Sequence, residues 1–382
     1  MSTTTVAPLR VLHLLHTVAH GGVETALLNW IRSFDAAQVQ VTMVCFANPG
    51  QTEQPFVDAA TRQGVQVHRI AWSRRKPMFA AARHLARLVR EHQIDIVHAH
   101  NVYANLVTLI AKRYAPFKTI TTAYVWHRFD NWRRNALQWF DIRLTRRFDC
   151  ISAHCESTRE AMLRYGIPAA DVQTLPCGFE THALRLSAEE RAAGRALLGA
   201  GPQAQVLVNV ARFYPEKAHD FLLDCFAQIV KQRPDARLWI AGVGPLDAQI
   251  KAQAQRLGLG DSVRFLGFVV DLPRLLALAD LQLHPAHIEG VPLAICEGMA
   301  AGLPIVASEV GGLPEVLAHG RNGVLVPGLN QDSFVAAVLR LMDEPERARG
   351  YGQAARRFIE HDYSLRSAAQ RVERTYRELA TC

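Results

Sequence analysis

A regular alternation of short apolar segments with helical ones, run through twice, constrains this chain more than any single motif. In the first pass, strands are expected at 10–15, 39–46, 65–70, 94–99, 118–122 and 149–153. Helical periodicity separates them near 22–34, 53–62, 78–92, 102–114, 132–147 and 156–165. Strands fed by helices imply a parallel sheet covered on both faces. After a turn-like segment at 175–179, a helix at 187–198 and the interruption Gly199–Pro202, the alternation restarts. Strands are expected near 205–211, 236–241, 262–266, 280–284, 304–307 and 323–326, and helices near 217–232, 246–257, 272–279, 291–301 and 331–343. A length of 382 residues is too great for one ordinary core, so two doubly wound domains are expected, 1–176 and 177–359. The last segment, 345–380, reads as helical, with a C-terminal helix of about 360–382 long enough to leave the second domain and dock back on the first.

Composition closes off several classes. A hydrophobic content of 49% with 20% charged residues describes a soluble globular protein, and no run of 18 apolar residues offers a membrane-spanning helix. The first sixteen residues lack the basic start and long apolar core of a signal peptide, which makes the cytoplasm the expected location. Seven scattered cysteines without a Cys-x-x-Cys pair read as reduced, mostly buried thiols and not as a zinc site. Net charge is +8, but residues 1–175 carry 21 Lys and Arg against 12 Asp and Glu, while the remainder carry 22 against 23. The first half therefore faces something acidic or a membrane.

In such sheets ligands bind beyond the carboxyl ends of the strands, and two domains with those edges facing would enclose a deep cleft. The sequence places chemistry at several of these ends. Between Val291 and Ala307 the only charged residue is Glu297, a carboxylate in an apolar setting that demands a polar partner. Pro292 suits the start of a helix there, with Glu289 in the loop before it, so two carboxylates flank a helix N-terminus able to receive an anion. Arg212 and Lys217 follow the strand at 205–211; a guanidinium and an ammonium suit a diphosphate, although pairing with Glu216 or solvent is the plainer reading. Gly21-Gly22 after the first strand would let backbone approach a phosphate, a weak signal shared with ordinary turns. Gly242 and Gly244 form another strand-end turn, which Pro245 keeps from being a dinucleotide fingerprint. His98 and His100 alternate at a strand end and point the same way; with no third ligand nearby, a packed, hydrogen-bonded pair is favoured over a metal site. Residues 124–148 interleave six arginines with aromatics, which fits either a membrane-surface or nucleic-acid patch or an amphipathic helix burying Leu137, Phe140, Ile142 and Leu144.

In this order the pieces resemble the retaining glycosyltransferases of family 4. The most specific match is Glu289-Gly-Val-Pro-Leu-Ala-Ile-Cys-Glu297, the family's Glu-x7-Glu motif, followed by Gly302-Leu-Pro and Gly311-Gly-Leu-Pro-Glu315. Gly21-Gly22, His98-Ala-His100 and Arg212 with Lys217 support it. The resemblance implies the GT-B fold, two facing Rossmann-like domains, with the first binding acceptor and the second binding donor. It implies that Arg212 and Lys217 hold the donor's diphosphate and that Glu297 accepts from the ribose hydroxyls. Glu289 would lie by the transferred sugar, the N–H groups of Gly290, Val291 and Leu293 by sugar and phosphates, and Val270 near the nucleobase. The family's histidine after the fifth strand is absent; His127, a few residues along, is the expected substitute, with Tyr124 as competitor. Pro292 stands where the family often has glycine, removing one N–H donor, and Cys177 replaces a frequent asparagine.

The implied activity is transfer of a sugar from a nucleotide diphosphate sugar to a hydroxyl acceptor with retained anomeric configuration. No metal or other cofactor is expected, since no Asp-x-Asp motif is present. The basic first half and its Arg/aromatic stretch extend this to a lipid-linked saccharide acceptor, as in cell-surface polysaccharide synthesis. Peripheral contact with anionic lipid at the inner face of the plasma membrane would follow, and nucleic acid is not an expected partner. The rivals are an isomerase like the nucleotide-sugar 2-epimerases and a non-catalytic nucleotide-sugar-binding subunit.

Overall fold

The computed structural model describes residues 7–16, 22–73, 75–124, 132–180, 184–291 and 293–381. The chain divides into two compact units, Met1–Gly178 with Leu365–Cys382, and Phe179–Ser364.

In the first unit the order is β1 (Leu9–Leu15), α1 (Gly22–Ile31), β2 (Val39–Ala47), α2 (Gln54–Arg62), β3 (Val67–Ala71), α3 (Met78–Glu91), β4 (Ile96–His100), α4 (Val102–Ala111), β5 (Lys118–Ala123), α5 (Trp132–Thr145), β6 (Cys150–Ala153), α6 (Glu156–Arg164) and β7 (Val172–Thr174). These strands form one parallel sheet in the order β3-β2-β1-β4-β5-β6-β7. The three-residue β7 has no counterpart in the sequence reading, because its polar Val-Gln-Thr carries no apolar run.

The second unit contains α7 (Ala188–Leu197), β8 (Gln205–Val210), α8 (His219–Gln232), β9 (Ala236–Ala241), α9 (Asp247–Arg256), β10 (Val263–Gly267), α10 (Leu272–Leu278), β11 (Leu281–His284), α11 (Leu293–Ala301), β12 (Ile305–Glu309), α12 (Leu313–Val316), β13 (Val324–Pro327), α13 (Gln331–Asp343) and α14 (Pro345–Asp362). Its parallel sheet runs β10-β9-β8-β11-β12-β13. In both sheets the order reverses beside the first strand, between β1 and β4 and between β8 and β11, and the ends of those strands frame the crevice where such sheets bind ligands.

Local sequence explains the elements. The central strands are apolar along their length because helices cover both faces: Val11, Leu12, Leu14 and Leu15 of β1 are all buried. On α3 the buried residues Ala81, Ala82, Leu85, Ala86, Leu88 and Val89 recur at helical spacing. Ser187 and Glu190 form a reciprocal capping box at the start of α7, and Asn330 caps α13.

The last segment is helical as expected, its C-terminal helix starting a few residues later than the expected 360: α14 ends at Asp362, and α15 (Leu365–Thr381) belongs to the first unit. Its Ala368, Val372, Tyr376 and Leu379 join Val11, Leu15, Leu27, Trp30 and Met43 in one cluster. Each such large buried side chain stabilises the unit by about 2 kcal/mol. Glu373, fully buried, accepts from the Asp35 N–H at 2.7 Å.

Candidate active site

At the end of β8 the chain turns through Ala211–Ala218 in an irregular loop closed by a 3₁₀ turn at Pro215–Lys217. Phe213, completely buried, pins this loop; its N–H donates to the Val243 carbonyl at 3.0 Å, and its carbonyl accepts from the Leu246 N–H at 3.2 Å. The approach of the next strand's loop depends on glycine. A Cβ on Gly242, at φ +150°, would lie 1.9 Å from the Ala211 carbonyl oxygen. Arg212 is exposed, its guanidinium 4.9 Å from the centre of the Tyr214 ring. Ala218 adopts the left-handed conformation at φ +47°, which costs a non-glycine residue about 1 kcal/mol and places backbone strain directly after Lys217.

Lys217 pairs with Glu289, and not with Glu216. Glu289 is nearly buried, and its Oε1 accepts both from Lys217 Nζ and from His284 Nε2, the latter at 2.7 Å. Burial alone would raise this carboxyl, but the His284 hydrogen bond and the Lys217 charge outweigh it and hold the group down at about 2. Because an ionised carboxylate only accepts, the hydrogen of His284 lies on Nε2; its buried Nδ1 has no hydrogen-bond partner among the described residues.

Two backbone contacts fix the Glu289 loop. The His287 N–H donates to the Glu216 carbonyl at 2.9 Å, tying the Glu289 loop to the Lys217 loop. Beneath it, Gly311 sits at φ +54°, so close that a Cβ would fall 1.7 Å from the Glu289 carbonyl oxygen. The Gly311-Gly312 turn is thus a floor on which the acidic loop rests.

Gly290 and Val291 are buried beside it, and Leu293 opens α11; Pro292 lies outside the described residues. Glu297 is on the first turns of α11, partly buried, and no described residue donates to it. Desolvation pushes its carboxyl up to about 7. The polar partner that the sequence demanded is therefore not among the described residues. Val270, beyond β10, is almost fully exposed.

In the first unit Gly22 opens α1, while Gly21 and His127 lie outside the described residues. His98 and His100 point the same way, as expected, but the third histidine that the sequence did not reveal is His13, on the neighbouring strand β1 and paired in register with His98. Ligand atoms of the three come within 4.8 Å of one another. Every one of their ring nitrogens nevertheless has a partner in the protein, among them Tyr376 of α15 and Tyr124 at the end of β5. The reading as packed, hydrogen-bonded histidines stands, enlarged by one member.

Helix α5 departs from the amphipathic expectation. Ile142 and Leu144 are buried, but Leu137 and Phe140 are exposed, as are Trp132 at 73% and Trp139 at 56%. The Arg143 guanidinium stacks 3.9 Å from the Trp139 ring centre. Among the described residues six cysteines are free thiols, five buried and Cys150 partly so.

Sequence reasoning missed His284 and His219 as well as His13. His219, at the start of α8, is buried with neither ring nitrogen partnered among the described residues, and burial lowers it to about 4. No spacing rule marks these residues: His284 ends β11, His219 opens the helix that follows β8, and His13 lies within β1.

Comparison with known proteins adds the following. Residues 20–183 match the family description "Glycosyltransferase Family 4", and residues 194–358 match "Glycosyl transferases group 1". The chain is 27% identical over 346 residues to a GDP-mannose-dependent alpha-(1-6)-phosphatidylinositol monomannoside mannosyltransferase of Mycolicibacterium smegmatis, covering 86% of this chain and 88% of that one. A Mycobacterium tuberculosis protein of the same name is 27% identical over 354 residues, covering 89% and 90%. The crystal structure of Anabaena HepE with UDP-glucose superposes with a TM-score of 0.85 at 21% identity, over 97% of this chain and 99% of that one.

Proposed function

We propose that this chain, a family 4 glycosyltransferase with the GT-B fold, moves a sugar from a nucleotide diphosphate sugar to a hydroxyl acceptor with retained anomeric configuration, Phe179–Ser364 binding the donor and the first unit the acceptor. The observation that carries this reading is the pair of contrasting carboxylates around α11. Glu289 is held ionised by His284 and Lys217, while Glu297, eight residues on, has its charge unmet by any described residue.

In this reading Glu297 accepts from the ribose hydroxyls, which supply the missing donors. Arg212 and Lys217 take the diphosphate, one as a planar fork and one as a point charge, and the N-terminal N–H groups of α11 with Gly290 add neutralisation. Val270 borders the base. As the bond from the anomeric carbon to the diphosphate oxygen breaks, a bond to the acceptor oxygen forms on the same face. The acceptor's proton passes to the departing phosphate. Negative charge on the leaving group is then met by fixed cations and backbone dipoles, with no metal required. Glu289 turns toward the transferred sugar while His284 keeps it ionised.

GDP-mannose is the first donor to try, since full-length relatives are named for it. The lipid-linked character of those relatives' acceptor, together with the exposed Trp132, Trp139 and neighbouring arginines of α5, supports a lipid-linked saccharide as acceptor. It also supports peripheral contact of the first unit with anionic membrane. No described helix is long and apolar enough to cross a membrane.

The test is a screen of GDP-mannose, UDP-glucose and related donors, with and without membrane extract, assayed for released nucleotide diphosphate. Transfer that needs extract and is lost in Glu289→Ala supports the assignment. Turnover unchanged in Glu289→Ala but abolished in Glu297→Ala overturns the roles given to the two carboxylates. Donor conversion without extract or nucleotide release indicates the isomerase.

A further inference from the structure

The first unit contains a continuous chain of hydrogen bonds whose direction is fixed at one end. It runs from Tyr124 Oη to His100 Nδ1 at 2.9 Å, from His100 Nε2 to His13 Nδ1 at 3.0 Å, and from His13 Nε2 to Tyr376 Oη at 3.2 Å. It continues from Tyr376 Oη to His98 Nδ1 at 2.7 Å, from His98 Nε2 to Thr122 Oγ1 at 2.7 Å, and from Thr122 to Ser152 Oγ at 2.7 Å. Ser152 ends it by donating to the Thr121 carbonyl at 3.1 Å. Of these seven residues only Tyr124 keeps appreciable exposed surface.

Each hydroxyl has one hydrogen, and each neutral imidazole has one. Burial holds the three histidines neutral, lowering His13 to about 3 and the others well below their ordinary value, and raises both phenols so that they stay protonated. The positions of the hydrogens then follow one from another. A carbonyl only accepts, so the Ser152 hydrogen is spent on Thr121. Thr122 must therefore donate to Ser152, and His98 must donate from Nε2 to Thr122. The bare Nδ1 of His98 takes the Tyr376 hydrogen, leaving the Tyr376 oxygen to accept from His13 Nε2. The bare Nδ1 of His13 takes the hydrogen from His100 Nε2, and the bare Nδ1 of His100 takes the hydrogen of Tyr124. Running the chain the other way is possible only if Ser152 abandons the carbonyl, which loses one hydrogen bond of the seven and makes the 3.2 Å contact of Tyr376 its donating one.

We infer that Tyr124 is a specificity-determining residue that presents its phenol oxygen solely as a hydrogen-bond acceptor to a sugar hydroxyl, because the buried chain from Ser152 commits its hydrogen to His100. The ligand side rests on the transferase reading: Tyr124 stands at the carboxyl end of β5, on the ligand-binding edge of the sheet. The hydroxyl belongs to the donor sugar or to the acceptor saccharide, and both are sugar alcohols able to donate. Ser152, His98, His13 and His100 are positioning residues that touch no ligand.

The prediction is read first without any ligand. In the full-length protein labelled with [15N]histidine, nitrogen chemical shifts should show His13, His98 and His100 all as Nε2–H tautomers; Nδ1–H at any of them overturns the inference. Ser152→Ala leaves the Thr122 hydrogen no acceptor but His98 Nε2, so all three tautomers should invert to Nδ1–H, and unchanged tautomers in the folded variant also overturn it. Kinetics with GDP-mannose and its monodeoxy and monodeoxyfluoro analogues form the second arm. Fluorine accepts but cannot donate, so at the contacted carbon it should lose kcat/KM as fully as deletion of the hydroxyl, about tenfold, and Ser152→Ala should recover the fluoro analogue. In Tyr124→Phe, a rise confined to the GDP-mannose KM assigns the hydroxyl to the donor, and one confined to the extracted lipid acceptor assigns it to the acceptor. No change in either refutes the contact. Should wild type not turn over GDP-mannose, the donor reading fails while the tautomer measurement still decides the chain.

Discussion

Replacing Glu289 by glutamine should make the second unit's stability respond to acid differently from wild type. The carboxyl lies at about 2 instead of its ordinary 4.5, because the His284 bond and Lys217 charge outweigh burial. A depression of that size corresponds to about 3 kcal/mol. The folded value is the lower one, so this stabilisation is fully present above pH 4.5 and is lost as the pH falls through about 2. Between pH 6 and pH 3 the gap between wild type and Glu289→Gln should therefore shrink by about 2 kcal/mol. The assay is urea unfolding at half-unit pH steps, followed through a fluorine label on Trp239, the one tryptophan in residues 179–364. A gap constant to within roughly 0.5 kcal/mol from pH 6 to pH 3 would refute the reasoning, since it would mean that Glu289 titrates alike in the folded and unfolded chain.

Glu297 should behave in the opposite sense: its folded value of about 7 exceeds 4.5, so its contribution is full below pH 4.5 and lost as the pH rises through 7, by at most about 3 kcal/mol. Thermal melts from pH 5 to pH 8 should show wild type losing stability and Glu297→Gln nearly flat, while the variant binds donor more weakly in calorimetry. Gly311→Ala should cost more than about 2 kcal/mol and most of the turnover, because its Cβ would displace the Glu289 carbonyl; a fully active variant with wild-type melting would contradict the floor assigned to that turn. Flotation with anionic vesicles at moderate salt should retain wild type and release Trp132→Ser/Trp139→Ser, and no binding by wild type removes the membrane reading.

The elements were legible because a parallel sheet buried on both faces writes itself as apolar runs, and ten of the strand starts depart from the pattern by no more than one residue. Where the signal failed, a tertiary cause is visible. Polar β7 forms because β6 offers it an edge, and α15 starts later than expected because the chain changes units after Ser364, something helical periodicity does not encode. Leu137 and Phe140 fit a core face by their spacing, yet of the four apolar residues only Ile142 and Leu144 are buried. Glu289, Glu297, Arg212 and Lys217 were visible as charged residues at strand ends, but the bond from His284 was not, since a histidine five residues earlier becomes a partner only when the loop folds back.

By itself, the sequence determined that two parallel sheets would form and that ionisable residues would gather at their carboxyl ends, because periodicity and the poor tolerance of apolar surroundings for charge are local properties. Tertiary structure decided the state of those residues. Glu289 is ionised near pH 2 and Glu297 is not until about 7, although they stand eight residues apart, because one meets His284 and Lys217 while burial desolvates the other and no described residue donates to it. In the first unit, likewise, His98 and His100 are fixed by β4, but the direction of their hydrogen bonds depends on β1, β5, β6 and α15 together: a hydrogen-bond chain takes its sense from its last acceptor, here the Thr121 carbonyl.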